Sequence, residues 1–293
     1  MASSCEVRLD APDLAAATWL ANAAIDEVHR IEKKYSRYQN DSIVSRISAA
    51  SGKSWVTCDT ETLHLLDVAA TLFRLSDGLF DVTSGVLRYA WDFKRAILPD
   101  SGTLNSLLKR VGWAKVERRG DAVRLGHVGM ELDFGGFGKE YAADRAATVL
   151  AALGVTSGYV NLAGDIHVVG PKPDGSPWAI GIQHPRKPNA VMATIPVYAG
   201  ALATSGDYER YFDLAGKRYC HILNPQTGWP ITAWQSISVL ESDTLTAGSL
   251  TTLALLKEGQ ALSFLQENKA VYLAVNAEGQ VFRQGQTEPT PYQ

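Results

Sequence analysis

The sequence is poor in sulfur, with three cysteines and three methionines in 293 residues. Cys5, Cys58 and Cys220 are odd in number, far apart and without C-x-x-C spacing, so neither a disulfide framework nor a zinc site is indicated. No window reaches the roughly 18–20 consecutive apolar residues that a membrane-spanning helix needs. The N-terminus lacks the basic segment and apolar run of a secretory signal. An excess of charge of one sign is missing too: the formal net charge is −3 and there is no basic tract, which gives no electrostatic reason to expect a nucleic acid as partner. Internal repeats and low-complexity linkers are also absent. These absences describe a soluble chain suited to a reducing cytoplasm.

What is present is 46% hydrophobic sequence, ample for a buried core in one large domain or two smaller ones, with no clean boundary visible. Asp13 to about Lys34 carries Leu14, Ala17, Ala21, Ala24, Val28 and Ile31 at helical spacing behind a possible Asp13 cap. A second helix is expected from Thr60 to before Gly78, with apolar residues on two faces and hence deep burial. From Val123 to Phe134 the period falls to two, which predicts a strand, and helical spacing returns over 139–153. Further strands are expected near 158–169, 178–183, 194–200, 236–241 and 270–276, with helices near 246–257 and 259–267. The result is a mixed α/β (α+β) fold, sheet-rich in its C-terminal half, forming a single unit over 1–293.

The stretch ELDFGGFGKEYAAD (131–144) sets Gly135, Gly136, Gly138 and Lys139 between the expected strand and helix. It is not a P-loop, because Asp133 stands where the first glycine belongs and Glu140 follows the lysine; nor is it a G-x-G-x-x-G fingerprint, since the third place is Tyr141. What remains is a geometry suited to anions: glycines that admit close approach, a helix N-terminus and a lysine. A plain tight turn is the competing reading.

Other segments extend the comparison. LDFGGFGKEYAAD resembles the LDLGGIAKGYAVD-type motif of the ApbE family, the FAD:protein FMN transferases, and MASSCEVRL (1–9) resembles its opening strand. YSRYQNDSIVSRIS (35–48), SDGLFDVTSGVLRYAWDF (76–93), VNLAGDIHVVG (160–170), and ALATSGDYERYF (201–212) with HILNPQTGWP (221–230) are similar to further family segments in the same order. Ala163 stands where the family has a glycine.

The resemblance implies an ApbE-type fold and an enzyme that cleaves FAD at its pyrophosphate, attaches FMN to a Thr or Ser hydroxyl of an acceptor flavoprotein, and releases AMP. FAD is then a substrate, with Mg2+ as the metal. Asp133 and Lys139 are implied to contact the flavin nucleotide, as are Met1, Tyr38, Ala90, Trp91, Asp92, Ile222 and Leu223. Core or rim packing is the competing reading for Tyr38 and Trp91. His221 is the candidate base for the acceptor hydroxyl. Thr204, Ser205 and Asp207 lie in what reads as a glycine-containing turn, as structural caps or as site lining. Asn224 and Gln226 replace the family's commoner Asp and Arg. The family's opening motif coincides with residue 1, so a cytoplasmic form acting on cytoplasmic acceptors is expected.

One departure bears on the metal. The carbonyl of Gly136 and the hydroxyl of Thr252 match implied ligands, but Gly248 stands in place of the metal-binding aspartate in the A-D-A-L-x-T motif. Magnesium is usually held through one or two carboxylates together with phosphates and waters. Asp243, Glu140 and Glu241 are the candidates for the missing acid. A non-catalytic FAD-binding homologue and an FAD-hydrolysing enzyme giving FMN and AMP are the alternative functions.

Overall fold

The computed structural model describes residues 4–285, so Met1 lies outside the described residues. The fold starts with a short strand, β1 (Cys5–Leu9). Asp13 accepts a hydrogen bond from Ala16 N at 2.8 Å and caps α1 (Leu14–Tyr35), which buries Leu20, Ala24, Val28, Ile31 and Tyr35 on one face. The expected stripe holds from Ala24 onward, whereas Leu14 is 82% exposed. Two short elements follow, α2 (Ile43–Ala49) and β2 (Val56–Thr57). The next helix, α3 (Thr60–Leu75), is capped by Asp59 and buries a single stripe through Thr62, Leu65, Leu66, Ala69 and Leu72. Its second apolar face is only partly covered, because Leu63 and Val68 lie at the margin of the core. Beyond it, α4 (Ser101–Leu108) packs Leu104 and Leu107 against Val86 and Leu87.

The alternation from Val123 to Phe134 does not form one long strand. After β3 (Val116–Arg119), strand β4 (Ala122–Leu125) ends at Leu125, and the following residues are irregular. Met130, Leu132 and Phe134 are nevertheless buried, as the alternation requires, whereas Val128, the first apolar residue of that run, is 68% exposed. Their backbone is satisfied from elsewhere: Leu132 N donates to Ser48 Oγ at 3.0 Å and Asp133 N to Val82 O at 2.8 Å. Side-chain burial was encoded in the pattern; strand pairing was not.

The helix α5 (Gly138–Ala152) leads into the sheet-rich half. The expected strand over 158–169 is two strands, β5 (Gly158–Leu162) and β6 (Asp165–Gly170), parted by Ala163 and Gly164 at φ +56° and +95°. The family's glycine at 163 suits that left-handed backbone; alanine adopts it at some cost. A hairpin follows, β7 (Trp178–Gln183) with β8 (Val191–Val197), and then β9 (Gly200–Gly206). The 201–207 stretch is thus mostly strand, not turn. After β10 (Tyr211–Leu214) and β11 (Lys217–Cys220) come β12 (Trp234–Glu241), α6 (Thr244–Lys257), α7 (Ala261–Glu267), β13 (Val271–Asn276) and β14 (Val281–Gln284).

Seven strands form one antiparallel sheet in the order β1-β5-β6-β9-β12-β13-β14. Alternation sorts its two faces. Val160, Leu162, Ala203, Ile237 and Val239 join the main core with α1, α5 and α6, whereas Ile166, Val168, Leu202 and Leu273 pack under the β7–β8 hairpin. On the helix side this sheet sets the start of β6 against the start of α5, and the end of β9 against Thr251 and Thr252 of α6.

Candidate functional site

Asp133 forms an ion pair with Arg37 and accepts a hydrogen bond from Gly135 N at 2.9 Å. A methyl group on Gly136 would lie 2.8 Å from a ring carbon of Phe80, so glycine is required there by a neighbouring side chain whether or not a ligand approaches. The helix α5 opens at Gly138 with no side-chain cap; Gly138 N donates to Phe134 O at 2.6 Å, which leaves the amides of Lys139 and Glu140 in the first turn to an anion or water.

Lys139, in that first turn, is ion-paired with Asp165 at the start of β6. Asp165 is 2% exposed and also accepts a hydrogen bond from Thr204 N at 3.2 Å. The Lys139 amine therefore already offsets a buried carboxylate. Ser205 faces α6, with its hydroxyl 2.8 Å from Thr251 Oγ1 and 3.4 Å from Thr252 Oγ1. The neighbouring Thr204 side chain points to the opposite face of the sheet and meets Ser238 Oγ at 2.8 Å.

A second group of charges forms around Arg37. Its Nη2 donates to Tyr38 Oη at 2.8 Å, its guanidinium lies 5.0 Å from the Tyr38 ring centroid, and its Nε is buried without a hydrogen-bond partner. Tyr38 is 73% exposed. The Arg37 hydrogen bond lowers its pKa, and Arg210 acts in the same direction. Arg210 acts on His221 as well, and His221 N donates to Arg210 O at 3.0 Å. Although part of the His221 surface is open to solvent, the surrounding protein withdraws enough water to disfavour its cation, and with the Arg210 charge this lowers its pKa to about 4.

That shift has a definite sign. The folded pKa lies below the unfolded value near 6.5, so the unfolded chain takes up its proton first and the contribution of His221 to stability is lost as pH falls from about 6.5 toward 4. NMR titration of the imidazole, assigned with His221→Gln, is expected to give a midpoint near 4. A midpoint near 6.5 would mean that the ring is fully hydrated.

Residues 90–92 belong to a packed layer. Trp91 is 6% exposed and packs against Phe93, Phe212, Tyr219 and Trp229. Its Nε1 donates to Gly228 O at 2.9 Å, which docks the 221–231 loop. Ala90 and Leu223 pack at the edge of this cluster, and Ile222 packs against the main core. Asp92 accepts from Lys94 N at 3.1 Å and Arg95 N at 3.0 Å, closing a turn. Trp91→Ala is accordingly expected to cost about 3 kcal/mol in chemical denaturation, and Trp91→Phe, which keeps the ring packing, about 1 kcal/mol. Equal, small losses for both would remove Trp91 from the support of the His221 loop. Asp207 is also engaged structurally: Arg186 grips its two oxygens at 2.7 and 2.6 Å.

Asp243 is the N-cap of α6. Its oxygens accept from Thr246 N at 2.7 Å, Thr246 Oγ1 at 2.9 Å and Ser242 Oγ at 3.0 Å, so the carboxylate is committed to the helix end. Gly248 lies about 7.5 Å further along the axis. The acid that faces Gly248 is Glu140 of α5. No cluster of three or more His, Cys, Asp or Glu side chains suited to a metal occurs among the described residues.

The 133–140 stretch thus joins two groups, one comprising Arg37, Tyr38, Arg210 and His221, the other comprising Asp165, Ser205, Gly248 and Thr252. Thr204, Asp207 and Trp91 have their side chains engaged elsewhere. A polar cleft lined by Arg37, Ser45, Ser48, Arg88, Tyr89 and Glu131 adjoins the first group but does not include Lys139, His221 or Thr252. Arg37, Asp165 and Arg210 were not singled out in the sequence, although each stands inside a quoted motif: SRY, GDI and YER.

The ApbE family model matches residues 1–275. The FAD:protein FMN transferase of Vibrio cholerae is 29% identical over 255 residues, which cover 85% of this chain and 76% of that protein. The enzyme of the same name from Treponema pallidum is 31% identical, covering 79% and 70%. Among solved structures, the ApbE protein of Thermotoga maritima superposes with a TM-score of 0.88 at 31% identity, covering 96% of this chain and 94% of that one. The flavinyl transferase ApbE of Pseudomonas stutzeri gives 0.83 at 27% identity, covering 97% and 92%.

Proposed function

This chain belongs to the ApbE family, and from that premise we infer that it is an FAD:protein FMN transferase, one domain over 1–293. The acceptor's Thr or Ser oxygen bonds to the FMN phosphorus, the bond from that phosphorus to the bridging oxygen breaks, and AMP leaves with the bridging oxygen. The hydroxyl proton passes to a base. Aligning the hydroxyl and neutralising the diphosphate are the protein's tasks.

Beyond membership, the observation that carries the reading is the convergence of a partly unsatisfied guanidinium, Arg37, with a neutral imidazole, His221, through Tyr38 and Arg210. Arg37 and Arg210 supply charge complementary to the diphosphate, and the uncapped start of α5 adds its amides. His221 takes the acceptor proton. It is in its basic form at neutral pH, since its pKa lies near 4. Lys139 contacts the nucleotide while still offsetting Asp165.

The donor set also fits a divalent cation: Glu140 Oε2 is buried and has no hydrogen-bond partner, an arrangement that a cation would relieve. Mg2+ would be held by the Gly136 carbonyl, Thr252 Oγ1 and that carboxylate; bound there, it withdraws negative charge from the phosphate oxygens. We assign the reaction to the cytoplasm, in keeping with the lack of disulfides among the described residues. No described helix is long and apolar enough to cross a membrane.

Chromatography of the nucleotide products tests the activity. AMP is expected only when FAD, Mg2+ and an acceptor with a Thr or Ser target are all present. Free FMN without acceptor would make the protein a hydrolase, and unchanged FAD would make it a binding protein.

A further inference from the structure

On the premise of that reading, we infer that the metal-binding carboxylate has changed helices in this chain: Glu140 of α5 supplies it, in the space that an aspartate at 248 of α6 would fill. A methyl group on Gly248 would lie 2.5 Å from Glu140 Cγ and 3.1 Å from both Cδ and Oε1. A side chain at 248 and the present Glu140 therefore exclude one another. The two departures from the family's pattern, an acid where it has glycine and glycine where it has an acid, are complementary in space.

Glu140 is 5% exposed, and its Oε2 has no hydrogen-bond partner. Burying an unpaired carboxylate oxygen is costly, whereas a cation beside it reverses the sign of that cost. A first-turn acid also gains from the helix dipole, but it would gain as well while pointing to solvent, so the dipole does not account for the burial. Gly248 and Thr252 are four residues apart and share one face of α6, so the position that Glu140 faces and the implied hydroxyl ligand lie one turn apart. Gly136 lies just before the helix that carries Glu140. Of the other acids considered, Asp243 caps α6, and Glu241 lies on β12, before that cap.

The test is direct binding of Mn2+, followed by electron paramagnetic resonance, to the full chain with and without FAD. Glu140→Gln is expected to weaken Mn2+ binding by about tenfold or more. The exchange Glu140→Gly with Gly248→Asp is expected to recover affinity to within a few-fold of the original, while Gly248→Asp alone fails to improve it because of the clash. If Glu140 is only a buried acid, Glu140→Gln raises the melting temperature and leaves Mn2+ affinity unchanged, which overturns the inference. Absence of Mn2+ binding by the original chain, with or without FAD, also overturns it. Should Glu140→Gln fail to fold, the exchange variant decides alone: recovered affinity supports the inference and lost affinity rejects it. FMN transfer is read separately. Mn2+ bound through Glu140 without any transfer would retire the transferase reading and keep this inference; transfer with Mn2+ affinity indifferent to residue 140 would do the reverse.

Discussion

His221→Ala is expected to lower kcat for FMN transfer by roughly 10²- to 10⁴-fold while FAD affinity and thermal stability stay close to the original. The expected contrast comes from what the ring touches. Its backbone N–H donates to Arg210 O, which any residue preserves, and the hydrogen bond that acts on the imidazole is with that same Arg210 backbone, not with another side chain. Removing the ring therefore leaves no buried group without a partner. The proposed base is lost and the scaffold is not. His221→Gln, which keeps some volume but cannot take the proton, is expected to behave like alanine in kcat. If kcat survives and KM rises instead, His221 positions the acceptor and another group accepts the proton.

Lys139→Ala is expected to do two things at once. It strands Asp165, 2% exposed, with the amide of Thr204 as its remaining partner, at a cost of about 3 kcal/mol in unfolding free energy. It also weakens FAD binding by roughly 10- to 100-fold through loss of a charge-assisted contact. The double variant Lys139→Ala with Asp165→Asn separates the effects, because a neutral amide at 165 no longer needs a cation. Stability is expected to return while FAD affinity stays low. Recovery of both would make Lys139 a partner of Asp165 and nothing more. Denaturant unfolding and calorimetry with FAD give the two readings.

Much of the scaffold could be read from periodicity, because it is set by local pattern. Helix α1 follows from the Asp13 cap and the stripe through Ala24, Val28 and Ile31, and α5 from the return of helical spacing after Gly138. Where pattern and pairing separate, the reading failed: Met130, Leu132 and Phe134 alternate into the core with no neighbouring strand, and β9 ends in Thr204, Ser205 and Gly206, whose polar, small character resembles a turn. The strand state of that end is imposed by β12, which pairs with β9 as far as Gly206, while β6 pairs with its first part, Gly200–Leu202.

The site divides in the same way. Asp133, Lys139, His221 and Thr252 could be named from motifs, since each lies in a contiguous signature. Their partners could not. Arg37 meets Asp133, Asp165 meets Lys139, and Glu140 meets Gly248 only because the chain returns between distant segments. The aromatic and polar residues of the motifs are double-edged for the same reason: Trp91 and Asp207 match the family's pattern, yet their side chains are spent on Gly228 and Arg186.

In the proposed reaction FAD is the phosphoryl donor and a protein hydroxyl the acceptor. Intact-mass spectrometry of an acceptor flavoprotein, after incubation with this protein, FAD and Mg2+, tests it most directly. The acceptor is expected to be heavier by one FMN ester for each AMP released, with no gain when the target hydroxyl is removed. An acceptor of unchanged mass in the presence of bound FAD, across several divalent metals, would contradict it.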